Sequence, residues 1–167
     1  MAGELFVWPP ARVISIQRTP QITYGLWANR EEKVKYDEFI KEVQTRGHMH
    51  SREEAEKATR ATLETLAERL LGGEPQDLAS QLPPELAEYM RYEGEEESEP
   101  FSLDEFFERV NRRDEGVDLP RAVYHARVVM EVLQDAVTKG EIDHVRSQLP
   151  AEYEPLFEAG SQGEMDT

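Results

Sequence analysis

The chain has 167 residues, a formal net charge of −16 and no cysteine. The acidic balance works against binding to phosphate backbones, so we expect no nucleic-acid partner. The lack of cysteine excludes disulfides, thiolate metal sites and cysteine nucleophiles, and it fits a reducing cytoplasm. The apolar runs fall far short of the ~20 residues that a membrane-spanning helix needs, so we expect a cytoplasmic protein without a membrane partner.

Residues 1–33 differ in kind from the rest of the chain. They contain Pro9, Pro10 and Pro20, and their apolar residues favour strands for which the later chain offers no partner. We therefore expect a poorly ordered N-terminal extension. Two origins stay open: a real mobile arm, or upstream DNA translated ahead of a true start at Val34, because a valine codon can serve as a bacterial start. The mass of the protein made from its own gene distinguishes them.

Helical periodicity begins at residue 35, and we assign residues 35–92 to a first helical unit. Apolar residues spaced i, i+3, i+4 and i+7 predict a helix over residues 36–46 that ends at Gly47. Ser51 and Glu54 form a capping box that begins a long second helix. The predicted inner face of this second helix consists of Ala55, Ala58, Thr62, Leu63, Leu66 and Leu70.

Two short helices complete the first unit. We expect Gly72 and Gly73 to end the long helix, because glycine is the usual residue beyond a helix C-terminus. A short helix over about residues 74–81 follows, with Leu78 facing inward. A last short helix begins at Pro83 or Pro84, since proline is tolerated in a first helical turn.

Residues 101–158 repeat this plan as a second unit. Ser102 caps a helix, and Asp118 caps a second long helix that has Pro120 in its first turn. We expect Gly140 to end the long helix. Its predicted inner face consists of Ala122, Ala126, Val129, Met130, Leu133 and Val137.

The two units match at a constant offset of 67 positions, which indicates an internal repeat. An acidic linker at residues 93–100 joins the units, and a disordered tail at residues 159–167 follows the second. We predict an all-α fold in which two tandem, internally duplicated units, related by a pseudo-twofold axis, pack as one bundle through their long helices. The clearest match between the units is a Gln-Leu-Pro motif, formed by Gln81, Leu82 and Pro83 and by Gln148, Leu149 and Pro150.

Each Gln-Leu-Pro motif stands where two short helices are expected to meet. We predict that its leucine is buried, that its proline begins the following helix, and that its glutamine bonds to backbone groups left open at the corner. Contact of the glutamine with a ligand is the less favoured alternative.

The order Tyr-Asp-Glu-Phe, long helix, Gly-Gly-Glu, Asp-Leu, Gln-Leu-Pro-Pro-Glu-Leu, and then the same order again, resembles a bacterial family known as domain of unknown function number 2267. The resemblance covers about residues 35–158. It implies an all-helical bundle of the kind found in small cytosolic proteins. It implies no activity.

His48 and His50 are weak candidates for metal ligands. A pair spaced i, i+2 in a loop lacks the i, i+4 spacing of a helical zinc site, and the second unit has Glu115 and Val117 at the matching positions. His125 lies on a helix, where we expect it at the surface or the core edge. The many paired carboxylates stand near helix N-termini, where capping explains them. We therefore assign no catalytic, cofactor-binding or metal-binding residue.

These patterns favour an uncharacterised, non-catalytic module for protein–protein interaction or scaffolding. Its strong negative charge favours a basic or amphipathic protein partner. The alternative is a ligand-binding or metal-binding protein, or an enzyme, with a pocket between the two units that uses His48, His50, His125 and the acidic residues near them. The sequence does not predict the oligomeric state.

One cooperative unfolding transition is expected for the full chain. Each unit alone has about 55 residues, a length at which a hydrophobic core is marginal, so the two units need each other's apolar faces. Thermal melts of the full chain and of the fragment 35–92 measure this dependence. A fragment that melted at the same temperature as the full chain would show that the units do not share a core.

Overall fold

The computed structural model describes residues 34–70, 74–91 and 100–158. All of the regular structure in these ranges is helical, which confirms the all-α prediction. The expected N-terminal extension, the two glycines after the second helix, most of the linker and the tail lie outside the described residues. In chain order the helices are α1 (Tyr36–Arg46), α2 (Arg52–Arg69), α3 (Glu74–Ser80), α4 (Pro84–Tyr89), α5 (Leu103–Arg113), α6 (Leu119–Ala136), α7 (Lys139–Ser147) and a C-terminal 3₁₀ helix (Ala151–Phe157).

Side-chain caps begin the long helices where the sequence predicts them. The Ser51 hydroxyl accepts from the Glu54 amide at 3.1 Å, and Asp118 accepts from the Arg121 amide at 3.0 Å. The Glu54 carboxylate does not return to the amide of Ser51, as a capping box requires, but accepts from the amide of His50 at 2.8 Å. No described helix is long and apolar enough to cross a membrane.

The helices at the end of the second unit differ from the prediction. The α6 helix ends at Ala136, and Gly140 lies inside the first turn of α7. The reason is Thr138, whose hydroxyl accepts from the Glu141 amide at 3.3 Å and so caps a new helix before Gly140 is reached. The last helix is a 3₁₀ helix with Pro155 inside it.

The core lies around α2 and α6, which pack against each other and each against α1 and α5. The residues of the predicted inner faces are buried, apart from the half-buried Val137. Three threonines of α2 are fully buried as well, because α2 is covered on more than one side. Thr62 and Thr65 donate their hydroxyls to carbonyls one turn earlier, both at 2.8 Å, so they enter the core with a hydrogen bond.

The bounds of the helices agree with the constant offset of 67 positions between the two predicted units. The α5 and α6 helices begin and end 67 positions after α1 and α2, and the paired helices have equal lengths of 11 and 18 residues. A repeated unit would give this pattern. That the two halves are copies of one unit stays an interpretation of the sequence.

Two arginines at matching positions tie α1 to α6 and α5 to α2. Arg46, at the end of α1, contacts Glu131 at 3.2 Å and Asp135 at 2.7 Å on α6. Arg113, at the end of α5, contacts Glu64 at 3.7 Å and Glu68 on α2. Each partner lies in the other half of the chain. Burial opposes the charge on Arg46, but the hydrogen bond to Asp135 and the surrounding carboxylates outweigh it and raise the pKa of Arg46.

Phe101, where the second unit begins, is held by residues from both units. Its carbonyl accepts from Arg69 of α2 at 2.9 Å and from the Tyr153 hydroxyl at 2.6 Å. The guanidinium carbon of Arg109 lies 3.9 Å from the centre of the Phe101 ring. This cation–π contact and the two hydrogen bonds fix the start of the second unit against the end of α2.

The two Gln-Leu-Pro motifs lie at corners before short helices, but their glutamines differ. Leu82 is 1% exposed and Leu149 is 9% exposed. Gln81 reaches across to the other half, where its Oε1 accepts from the Thr138 amide at 2.8 Å. Gln148 is exposed. Gln81 therefore bonds to a helix N-terminus that is 57 positions away, and not to a backbone group of its own corner.

Replacing Arg46 by alanine should cost about 1.5–3 kcal/mol, because it removes a partly buried guanidinium that hydrogen-bonds to Glu131 and Asp135. The matched control is Arg60→Ala, which breaks the exposed i, i+4 pair with Glu64 at 2.8 Å. That change should cost less than about 0.5 kcal/mol. Urea denaturation of both variants gives the comparison. Equal costs would mean that the ion pairs between α1 and α6 do not stabilise the bundle.

Replacing Gln81 by alanine should cost roughly 0.5–1.5 kcal/mol, the usual contribution of a hydrogen bond that a folded protein makes. Gln148→Ala removes the same side chain from the exposed counterpart and should change stability by less than about 0.5 kcal/mol. Thermal melts can measure both. A larger loss of stability for Gln148→Ala than for Gln81→Ala would contradict a stabilising hydrogen bond between Gln81 and the Thr138 amide.

Candidate functional site

A cleft of about 560 Å³ lies between the start of α2 and the connection from α5 to α6. One wall comes from residues 50–57 and the other from residues 114–121, so the cleft lies between the two predicted units. We refer to it below as the inter-unit cleft. Its volume lies within the roughly 300–1,000 Å³ of small-molecule sites.

The α5–α6 connection is held in shape by its own residues. Gly116 has φ of +92°, a left-handed conformation that favours glycine. The Asn111 side chain donates to the carbonyl of Val117 at 2.9 Å, which fastens the connection to the last turns of α5. This hydrogen bond and the left-handed Gly116 shape this wall of the cleft.

The two predicted metal candidates, both in the α1–α2 connection, lie in different environments. His48 has φ of +49°, also left-handed, and Met49 between the histidines is buried. His50 lines the inter-unit cleft, whereas His48 is exposed and is not part of its lining. Among the residues that the structure describes, no three His, Asp or Glu side chains are grouped so that they could hold a metal ion.

A buried Asp–His pair lies behind the cleft. Asp114 and His125 are each 1% exposed, and Asp114 Oδ2 lies 2.6 Å from His125 Nδ1. Because a carboxylate can only accept hydrogen bonds, His125 Nδ1 is the donor. The other ring nitrogen, Nε2, is buried and has no hydrogen-bond partner in the described part of the chain.

Glu54 lies between this buried pair and the cleft. Its Oε1 is 3.5 Å from His125 Nε2 and accepts from Arg121 Nη2 at 2.5 Å. Burial alone would raise the pKa of Glu54, but the hydrogen bonds from the Arg121 side chain and the His50 amide outweigh it, so its pKa is lowered. Since Glu54 lies in the first turn of α2 and Arg121 in the first turn of α6, this ion pair also joins the two long helices.

The inter-unit cleft has an excess of negative charge. Its lining contains four carboxylates and two cations, which gives a formal charge of 2 − 4 = −2. Both cations are engaged with carboxylates of the lining, since Lys57 contacts Glu53 at 3.5 Å and Arg121 contacts Glu54. Asp114 is buried against His125, so Glu115 is the exposed carboxylate that these contacts leave. A cationic group is therefore the kind of ligand that this lining favours electrostatically.

His125 is not placed to act directly on a molecule in the cleft. A general base must reach the proton that it abstracts, directly or through one water. His125 does not belong to the lining of the cleft, whereas its neighbours Asp114 and Glu54 do. Ser51, which also lines the cleft, uses its hydroxyl as the cap of α2.

His50, His125 and nearby acidic residues could be named from the sequence, but the contacts that join them could not. Asp114, Glu54 and Arg121 come from three separate segments, and only the fold brings them together. One signal was present in the repeat. At an offset of 67, Asp114 matches Gly47 and His125 matches Ala58, so two small residues are replaced together by a polar pair.

Comparison with known proteins gives a family and no activity. The family model described as "Uncharacterized conserved protein (DUF2267)" matches residues 36–156. A comparison with curated proteins finds no match. The matched region includes all seven α-helices and both walls of the inter-unit cleft. The chain belongs to the uncharacterised conserved protein family DUF2267.

Proposed function

We propose that this protein is a non-catalytic binding module that holds a lysine or arginine side chain of a partner protein in the inter-unit cleft. The observation that carries the proposal is Glu115, an exposed carboxylate of the lining. The other three carboxylates, Glu53, Glu54 and Asp114, contact Lys57, Arg121 and His125. The net charge of −16 also favours binding of a basic partner, because it raises the local concentration of such partners. We place this module in the cytoplasm.

The walls of the cleft support such a role because they are preorganised. The Arg121–Glu54 pair joins them at the base, and the Asn111–Val117 hydrogen bond fixes one wall. A site that does not need to be ordered on binding loses less conformational entropy when its partner arrives. Glu115 stands exposed in the lining and is free to move toward an incoming cation.

Binding of a free small ligand or a metal ion is the second candidate function. The observation in its favour is His125 Nε2, a buried nitrogen without a hydrogen-bond partner among the described residues, 3.5 Å from a cleft carboxylate. Elemental analysis of the purified protein and an absorption spectrum test for a bound metal or chromophore.

Reversing one exposed charge in the lining should abolish partner recovery. In pull-downs from native lysate, Glu115→Lys should lose the proteins that the wild-type protein recovers. The matched control is Glu108→Lys, which makes the same charge change at an exposed position of α5 outside the cleft. Raising the ionic strength from about 0.1 M to about 1 M shortens the screening length from about 10 Å to about 3 Å, and this should release the same proteins.

Two results would contradict the proposal. If Glu115→Lys and Glu108→Lys recovered the same proteins, the binding surface would lie elsewhere. If recovery did not depend on salt, the contact would not be ionic. Thermal melts of both variants verify that neither change has unfolded the protein.

A further inference from the structure

The buried ring of His125 lies between two carboxylates that come from different parts of the chain. Asp114, in the α5–α6 connection, has Oδ2 at 2.6 Å from Nδ1 of the ring. Glu54, in the first turn of α2, has Oε1 at 3.5 Å from Nε2. His125 and Asp114 are each 1% exposed. Each ring nitrogen therefore faces a carboxylate oxygen in a place with little access to water.

A neutral imidazole does not suit this position. Because Nδ1 donates to Asp114, a neutral ring would carry a bare lone pair on Nε2. Nε2 is buried and has no hydrogen-bond partner among the described residues, and a buried acceptor without a donor costs free energy. The lone pair would also repel Glu54 Oε1. With a proton on Nε2, the same 3.5 Å separation becomes an attraction between opposite charges.

The other charges near the ring do not reverse this preference. Arg121, one turn before His125 on α6, is a cation, but it is paired with Glu54 at 2.5 Å. Two carboxylates and two cations then form one group with a formal charge of 2 − 2 = 0. The ring of Tyr124, 6.5 Å away between centres, is uncharged at neutral pH. The remaining titratable residues of the cleft lining make no ion pair with the ring in the described part of the chain; they are His50, Glu53, Lys57 and Glu115.

We propose that Asp114 and Glu54 hold His125 as an imidazolium, and that this buried cation joins the α5–α6 connection to the first turn of α2. We refer to the three side chains as the imidazolium bridge. The first unit has Gly47 and Ala58 at the positions of Asp114 and His125, so it has no equivalent bridge. The bridge needs no partner molecule, and it therefore does not depend on the proposed function.

The imidazolium bridge makes the junction below the inter-unit cleft sensitive to pH. When the ring releases the Nε2 proton to solvent, the attraction to Glu54 is lost, whereas the hydrogen bond from Nδ1 to Asp114 remains. A cation that carboxylates stabilise in the folded state contributes stability only while it is protonated. This contribution is therefore present at lower pH and is lost as the pH rises through the titration of the folded ring.

The charge of the ring can be measured by ¹⁵N NMR of the histidine side chains in the full-length protein. An imidazolium has two ring nitrogens with similar shifts, whereas the protonated and bare nitrogens of a neutral ring differ widely. At about pH 7.5, roughly one unit above the ordinary histidine value, His125 should give the imidazolium pattern. The variants His48→Gln, His50→Gln and His144→Gln each remove one exposed ring, so the His125 signal is identified without changing the buried residue.

Asp114→Asn removes the charge of one carboxylate but keeps an oxygen that can accept from Nδ1. In this variant the ring should become neutral at the same pH. The matched control is Glu115→Gln, which removes a carboxylate from the next residue, at an exposed position, and should leave the imidazolium pattern unchanged. A neutral ring in the wild-type protein would overturn the proposal, and this result does not require that any variant of the bridge folds. The same ring pattern in Asp114→Asn and Glu115→Gln would overturn it as well.

Thermal melts at a series of pH values test whether the charge stabilises the junction. Asp114→Asn should melt at a lower temperature than the wild-type protein while the wild-type ring is charged. This difference should shrink as the pH rises above neutral, because both rings are then neutral, and Glu115→Gln should follow the wild-type curve throughout. If the difference between Asp114→Asn and the wild-type protein is the same at every pH, Asp114 acts only as a hydrogen-bond acceptor, and the imidazolium bridge is contradicted.

Discussion

The close packing of α2 against α6 is the constraint on which the rest of this structure depends. Each half of the chain amounts to about 55 residues, a length at which a core of its own is marginal. Small residues line the contact between the two long helices: Ala55 and Ala58 of α2 and Ala122 and Ala126 of α6 are fully buried. Side chains of this size let two helix backbones approach closely, and the larger apolar residues of α1 and α5 then cover the sides of the central pair.

Polar contacts around this central pair of helices join the two halves of the chain. Arg46 and Arg113 make matching ion pairs across the bundle, and Gln81 reaches the N-terminus of α7. The matching pattern is broken where Asp114 and His125 replace Gly47 and Ala58. This difference between the two halves lies beside the inter-unit cleft.

The helices could be predicted from the sequence, whereas most contacts between them could not. Periodicity and caps are local signals, so the bounds of α1 and the caps Ser51 and Asp118 were predicted correctly. The end of α6 was predicted wrongly at Gly140, because Thr138 caps α7 first. The partners of Arg46 lie 85 and 89 positions away, and those of His125 come from other segments. Separations of this kind leave no periodic signal, and only the folded chain brings such residues together.

Hydrogen exchange of the native protein tests most directly whether α2 and α6 form one shared core. Amides of core helices exchange only when the cooperative unit that contains them opens. If the two halves share a core, the slowest amides of α2 and of α6 open with the same free energy, equal to that of global unfolding. If the amides of one helix exchange through an opening of clearly lower free energy, the halves unfold separately, and the shared core does not hold the protein together.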